Sequence, residues 1–167
     1  AEEQAEFVLK RDANHVEAHI LKANSLAGLE NLQASLQEME IAVRLNPERP
    51  KTYLTLAVLQ VSAKQYSAAE ESFKRAIALD PNSVSARLAL GNFYQAQRRW
   101  PQAEAELRHA LELEPTSHLS RAALARRDAD DARTAGALAA RGPQAAPLLR
   151  AVRGGRDRHL PARGPAG

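Results

Sequence analysis

A fixed period of 34 residues constrains this chain more than anything else in its sequence. Leu45-Asn46-Pro47, Leu79-Asp80-Pro81 and Leu113-Glu114-Pro115 each close an apolar-periodic segment, each 34 residues after the last. Recurrence at that length is the signature of stacked supersecondary units, not of one closed core. Aligned on these ends, the units span 16–49, 50–83 and 84–117. Each splits into two helical patterns, in the last unit roughly Val84 to Gln97 and Trp100 to Leu113. The closing proline cannot continue a helix, and it biases the residue before it away from helical angles. Asn82, Ser83, Thr116 and Ser117 are residue types that cap the helix to follow. Pro50 and Pro101 suit a first helical turn.

Corresponding positions show how such units pack. The eighth position of each unit reads Ala23, Ala57, Gly91; the twentieth Ser35, Ala69, Ala103; the twenty-seventh Ala42, Ala76, Ala110. Small residues there let paired helices approach closely. The seventh (Lys22, Leu56, Leu90), eleventh (Leu26, Gln60, Tyr94) and twenty-fourth (Met39, Phe73, Leu107) are mostly large and fill the gaps beside them. One helix pair cannot bury its apolar face alone, so neighbours must stack.

In spacing, small residues and closing proline, the chain resembles the tetratricopeptide repeat (TPR) family. The resemblance covers about residues 1–125 and is fullest over 50–117. It implies an all-α fold, a right-handed α-solenoid of antiparallel helix pairs, the TPR superhelix. Residues 1–15 resemble the second helix and exit turn of a truncated first repeat, with Asp12-Ala13-Asn14 standing where Asp80-Pro81-Asn82 stands later. Repeats follow at 16–49, 50–83 and 84–117, then an incomplete repeat or terminal helix at 118–140. Ala13 departs from the closing proline and Lys22 from the usual leucine. The chain opens at Ala1 without methionine and reads as a piece of a longer protein.

After Pro115 the composition changes. Residues 116–167 contain no Glu, Lys, Ile, Asn, Phe, Tyr or Trp. Residues 119–140 are alanine-rich and helical by propensity. Gly142-Pro143, Pro147, Gly154-Gly155, Pro161 and Pro165 then break any long helix, so 141–167 reads as a disordered Ala/Arg/Gly/Pro-rich tail. A reading-frame slip in GC-rich coding DNA after about Ala125 is the alternative source of this segment, and the nucleotide sequence separates the two. The net charge of +3 is split unevenly. Residues 1–115 carry 13 Lys and Arg against 16 Asp and Glu, whereas 116–167 carry 10 Arg against 4 Asp. The repeat body is therefore mildly acidic and offers no electrostatic footprint for nucleic acid.

Few catalytic devices are available. The chain has no cysteine, hence no disulfide or thiolate metal site. His15, His19, His109, His118 and His159 form no metal-ligand spacing. Glu70-Glu71 and Glu104/Glu106 read as solvated helix pairs near Lys74, Arg75 and Arg108. Trp100 aligns with Leu32 and Tyr66 and reads as packing at the start of a second helix, and Arg98-Arg99 as a solvated turn. No catalytic, metal or cofactor residue is assigned, and the chain is expected not to be an enzyme. No run of about 18 apolar residues is present to span a membrane.

The site expected from stacking is the concave wall formed by the first helices. Its second, fifth and ninth positions read Glu17, Ile20, Asn24; Lys51, Leu54, Val58; and Ser85, Leu88, Asn92. That is an apolar stripe flanked by hydrogen-bonding groups, suited to an extended peptide or an amphipathic helix. The family's clamp for acidic C-terminal peptides uses Lys, Asn and Arg on this wall; only Lys51 is basic here, and no arginine is expected to face it. The expected function is a protein-interaction scaffold of a soluble bacterial protein, cytoplasmic or periplasmic. The alternative is the recruiting arm of a larger enzyme, such as a glycosyltransferase or signalling protein. Leu90-Gly91-Asn92-Phe93-Tyr94 is similar to repeats in such glycosyltransferase arms. Self-association through uncapped ends is a further expectation.

Overall fold

The computed structural model describes residues 1–140. The chain divides into two units, Ala1–Ser120 and Arg121–Gly167. The tail assigned to 141–167 lies outside the described residues. Among the described residues the structure is helical: α1 (Glu2–Leu9), α2 (Val16–Gly28), α3 (Leu32–Leu45), α4 (Pro50–Ser62), α5 (Tyr66–Leu79), α6 (Val84–Ala96), α7 (Trp100–Leu113) and α8 (His118–Ala140). In the first unit α2 packs on α3, α4 on α5 and α6 on α7; α3 on α4 and α5 on α6 join those pairs, and α1 packs on α2. This is an all-α solenoid of helix pairs.

Three successive junctions repeat the same local chemistry. At the exit of a unit, an aspartate or asparagine side chain accepts from the N–H two residues on: Asp12 from Asn14 at 3.0 Å, Asn46 from Glu48 at 3.3 Å and Asp80 from Asn82 at 3.3 Å. Such turns redirect the chain locally, without tertiary help. Asn82 thus serves the turn, while Ser83 is the cap, accepting from Ala86 N–H at 3.3 Å. His15 Nδ1 caps α2 in the same place, accepting from Ala18 N–H at 3.2 Å. Pro50 and Pro101 sit in the first turns of α4 and α7.

Within each pair the first helix ends in a left-handed residue at the same register: Glu30 (φ 60°), Lys64 (φ 61°) and Arg98 (φ 57°). The next N–H reaches back six residues inclusive, Asn31 to Leu26 O at 2.9 Å, Gln65 to Gln60 O at 2.8 Å and Arg99 to Tyr94 O at 2.9 Å. The left-handed residues themselves donate to Ala27, Val61 and Gln95 carbonyls. This is the Schellman ending, normally built on glycine. Three side-chain-bearing residues accept the strain instead.

The core follows the expected positions. Ala23, Ala57, Ala69, Ala42, Ala76 and Ala110 are fully buried, as are Met39 and Leu107. One cluster joins Ala23, Leu36, Met39, Ala42, Leu56 and Leu59, with Val16 and Ile20 packed against it. The next joins Ala57, Ala69, Phe73, Leu90, Phe93, Tyr94 and Ala103. Both clusters cross a boundary between units, so each pair's apolar face is covered by its neighbour. A Cβ on Gly91 would lie 2.7 Å from Leu107 Cγ, which explains glycine where the other units carry alanine.

The two polar departures from the pattern are satisfied. Gln60 Oε1 accepts from Ser72 Oγ at 2.7 Å inside the core. Lys22 reaches Glu38 at 2.8 Å. Glu70, expected on a solvated face, is instead the hub between the second and third units. Its carboxylate accepts from the Arg99 guanidinium, from Tyr94 Oη at 2.9 Å and from Lys74 Nζ at 2.7 Å. Arg99 also lies 4.4 Å over the Tyr94 ring, so this residue is not part of a solvated turn. The Arg99 hydrogen bond, assisted by Lys74 and Tyr94 against the cost of burial, holds the Glu70 carboxyl down at about 2.

Two predictions follow from these junctions. Glycine at the left-handed positions (E30G, K64G, R98G) is expected to raise stability by about 0.5–1 kcal/mol each, read as a higher denaturant midpoint at constant slope. Because the folded value of Glu70 lies below its ordinary 4.5, its contribution is complete above that value and lost as pH falls towards about 2. Thermal melts of wild type and E70Q should therefore converge as pH falls through that window, and a gap independent of pH would contradict the assignment.

Candidate partner-binding face

The nine wall positions lie on three parallel registers of α2, α4 and α6. Spacings of three and four residues put each triplet on one helical face. Glu17, Asn24, Lys51, Val58 and Ser85 are exposed, while Ile20, Leu54, Leu88 and Asn92 are half-buried. Ile20 packs its inner side against the first cluster and Leu54 against the second. Val58 has no such role: half its surface (51%) is open to solvent, on the middle helix. An apolar β-branched residue so exposed, with half-buried Leu54 one turn before it, is the sharpest feature of this face.

The polar groups differ in readiness. The Glu17 carboxylate is engaged by the Arg49 guanidinium from the N-cap of α4. This corrects the expectation that no arginine reaches the face: Arg49 precedes Pro50, and the extended backbone there (φ −96°, ψ 103°) carries its side chain back to α2. The pair leaves little net charge at that end. Ser85 Oγ lies 3.1 Å from Ser83 Oγ. Lys51 forms no ion pair among the described residues and is the charge this face presents to solvent.

Sequence reasoning missed a cavity beside this face. Ala5 and Val8 of α1, with Ala18 and Leu21 of α2, line an apolar space of about 160 Å³ whose rim includes His15 and Glu17. Its origin is legible in the period: Ala5 occupies the register that Met39, Phe73 and Leu107 fill in the later units. The signal was a small residue at a large-residue position.

Among the described residues, no group of three or more His, Asp or Glu side chains could hold a metal ion. His15 is a helix cap, His19 is buried with Nδ1 2.7 Å from Glu38 Oε2, and His109 is exposed 3.9 Å from Glu112. No helix of the described residues is long and apolar enough to cross a membrane.

Comparison with known proteins agrees with this architecture. Residues 60–127 match the family model described as tetratricopeptide repeat. No curated protein matches the sequence. Among solved structures, the crystal structure of MamA is similar with a TM-score of 0.65 and 20% identity, over 72% of this chain and 70% of that one. The TPR domain of Arabidopsis OM64 is similar with a TM-score of 0.60 and 25% identity, over 66% of this chain and 92% of that one. The helix pairs recurring every 34 residues and the tetratricopeptide repeat match over residues 60–127 thus point to the same repeat architecture.

Proposed function

We propose that this chain is a non-catalytic scaffold that captures a peptide or helix of a partner protein along the first-helix face. The observation that carries this reading is exposed Val58, with half-buried Leu54 one turn before it and the unpaired Lys51 beside them, on the central helix. Covering one such side chain contributes roughly 1.5–3 kcal/mol, far more than a surface ion pair. Asn24 offers a side-chain amide to the partner's main chain. Recruiting an enzyme's substrate would use the same face, so the arm of a larger enzyme is the same mechanism in another setting. The apolar cavity between α1 and α2 favours self-association as a second reading, which would appear as concentration-dependent light scattering.

The test is a displayed random peptide library selected on the purified chain. Selected peptides should lose about tenfold in affinity against V58D, equivalent to 1.4 kcal/mol. They should bind E71A, altered on an exposed second-helix face, unchanged. A peptide ending in two aspartates should bind more weakly than about 1 μM, since Lys51 has no basic partner free to complete a clamp. Selected peptides indifferent to V58D would remove this face from consideration.

A further inference from the structure

His19 occupies an unusual hydrogen-bonding position. It is buried, at 7% exposure. Its Nδ1 lies 2.7 Å from Glu38 Oε2, and its Nε2 lies 2.9 Å from the backbone carbonyl of Ala13. A carbonyl oxygen only accepts, and an ionised carboxylate only accepts. Glu38 is ionised: burial alone would raise its carboxyl, but hydrogen bonds from Lys22 and His19 outweigh that and lower it. Both ring nitrogens therefore face acceptors, and a neutral imidazole has one N–H to give.

The third unit repeats the geometry with a residue whose charge is permanent. Arg87 stands at the same register and donates from NH1 to Glu106 Oε2 at 3.0 Å. It also donates from Nε and NH2 to the Pro81 carbonyl at 3.2 and 3.1 Å. Glu106 corresponds to Glu38 and Pro81 to Ala13. Each device ties the turn before a first helix to the second helix of its pair. In the middle unit the register holds Tyr53, which leaves the device to the flanking units.

We propose that His19 is an imidazolium in the folded protein, making the α2–α3 pair a joint that loosens as pH rises. The surrounding charges are Glu38 on α3, Lys22 on α2 and, acting on Lys22 from α1, Glu2 and Glu6. Asp12 in the preceding turn is held by the Asn14 N–H. Losing the proton turns a ring lone pair towards either the carboxylate or the carbonyl, and one of the two ties is broken. Helix α2 carries Glu17, Ile20 and Asn24, so this joint governs the first third of the proposed face, yet the inference stands without that reading.

Nitrogen-detected NMR of the imidazoles in the wild-type chain tests this without any variant. Two N–H signals from the His19 ring at neutral pH, with both nitrogens at protonated shifts, are expected. One protonated and one bare nitrogen would overturn the proposal. A second measurement compares melting of wild type and H19R from about pH 5 to 8, the span in which imidazoles commonly titrate. H19R restores the permanent cation found at Arg87, so the wild-type midpoint should fall relative to H19R as pH rises. Parallel profiles for the two proteins would also count against it.

Discussion

The apolar face of each helix pair has only the next pair to cover it, and every other feature of the first unit depends on that. Leu36 and Met39 of one pair reach their buried state only with Leu56 and Leu59 of the next. Phe73 does so with Leu90 and Phe93. Each such side chain contributes roughly 1.5–3 kcal/mol on burial. That must be repeated along the stack, because ordering each residue's backbone costs about 1–2 kcal/mol. Close approach makes the burial possible, and the alanines at fixed registers supply it. Gly91 shows the limit, since Leu107 already occupies the space a methyl group would need.

Polar groups play a different part. Exposed ion pairs are worth little, typically about 0–1 kcal/mol, and would not hold the stack together. What they fix is alignment. Glu70 links α5 with Tyr94 of α6 and with Arg99 at the start of α7, so the third pair has one angular setting on the second. His19 and Arg87 set the turns before α2 and α6 against the second helices of those two pairs. Packing supplies the energy, and these contacts select the register.

The fold was legible in the sequence to a large degree, because period and packing are both written in residue size. The small and large positions, Lys22 excepted, are buried where the alignment puts them, and α7 spans Trp100–Leu113 as read. Less of the site was legible. Helical spacing placed Val58 and Lys51 in solvent, but the Glu17–Arg49 pair joins residues 32 apart in the chain, a contact that local residue pattern does not encode. The Glu70 hub was read as a surface pair because its partners Tyr94 and Arg99 lie 24 and 29 residues away. The left-handed residues were invisible for a related reason. Glutamate, lysine and arginine give no local sign of a positive φ, which here follows from the tight connection between paired helices.

A face built this way has functional consequences independent of any one partner. The stack spends its buried surface on its own stability and leaves the outer side of the first helices to present side chains at a fixed spacing. The claim beneath all of this is that one pair is not a folding unit. Circular dichroism of an isolated peptide of residues 50–83, beside the full chain, addresses it most directly. The peptide is predicted to show little helix and no cooperative melt, while the full chain melts cooperatively. A stably helical 50–83 peptide with its own sharp transition would contradict the account.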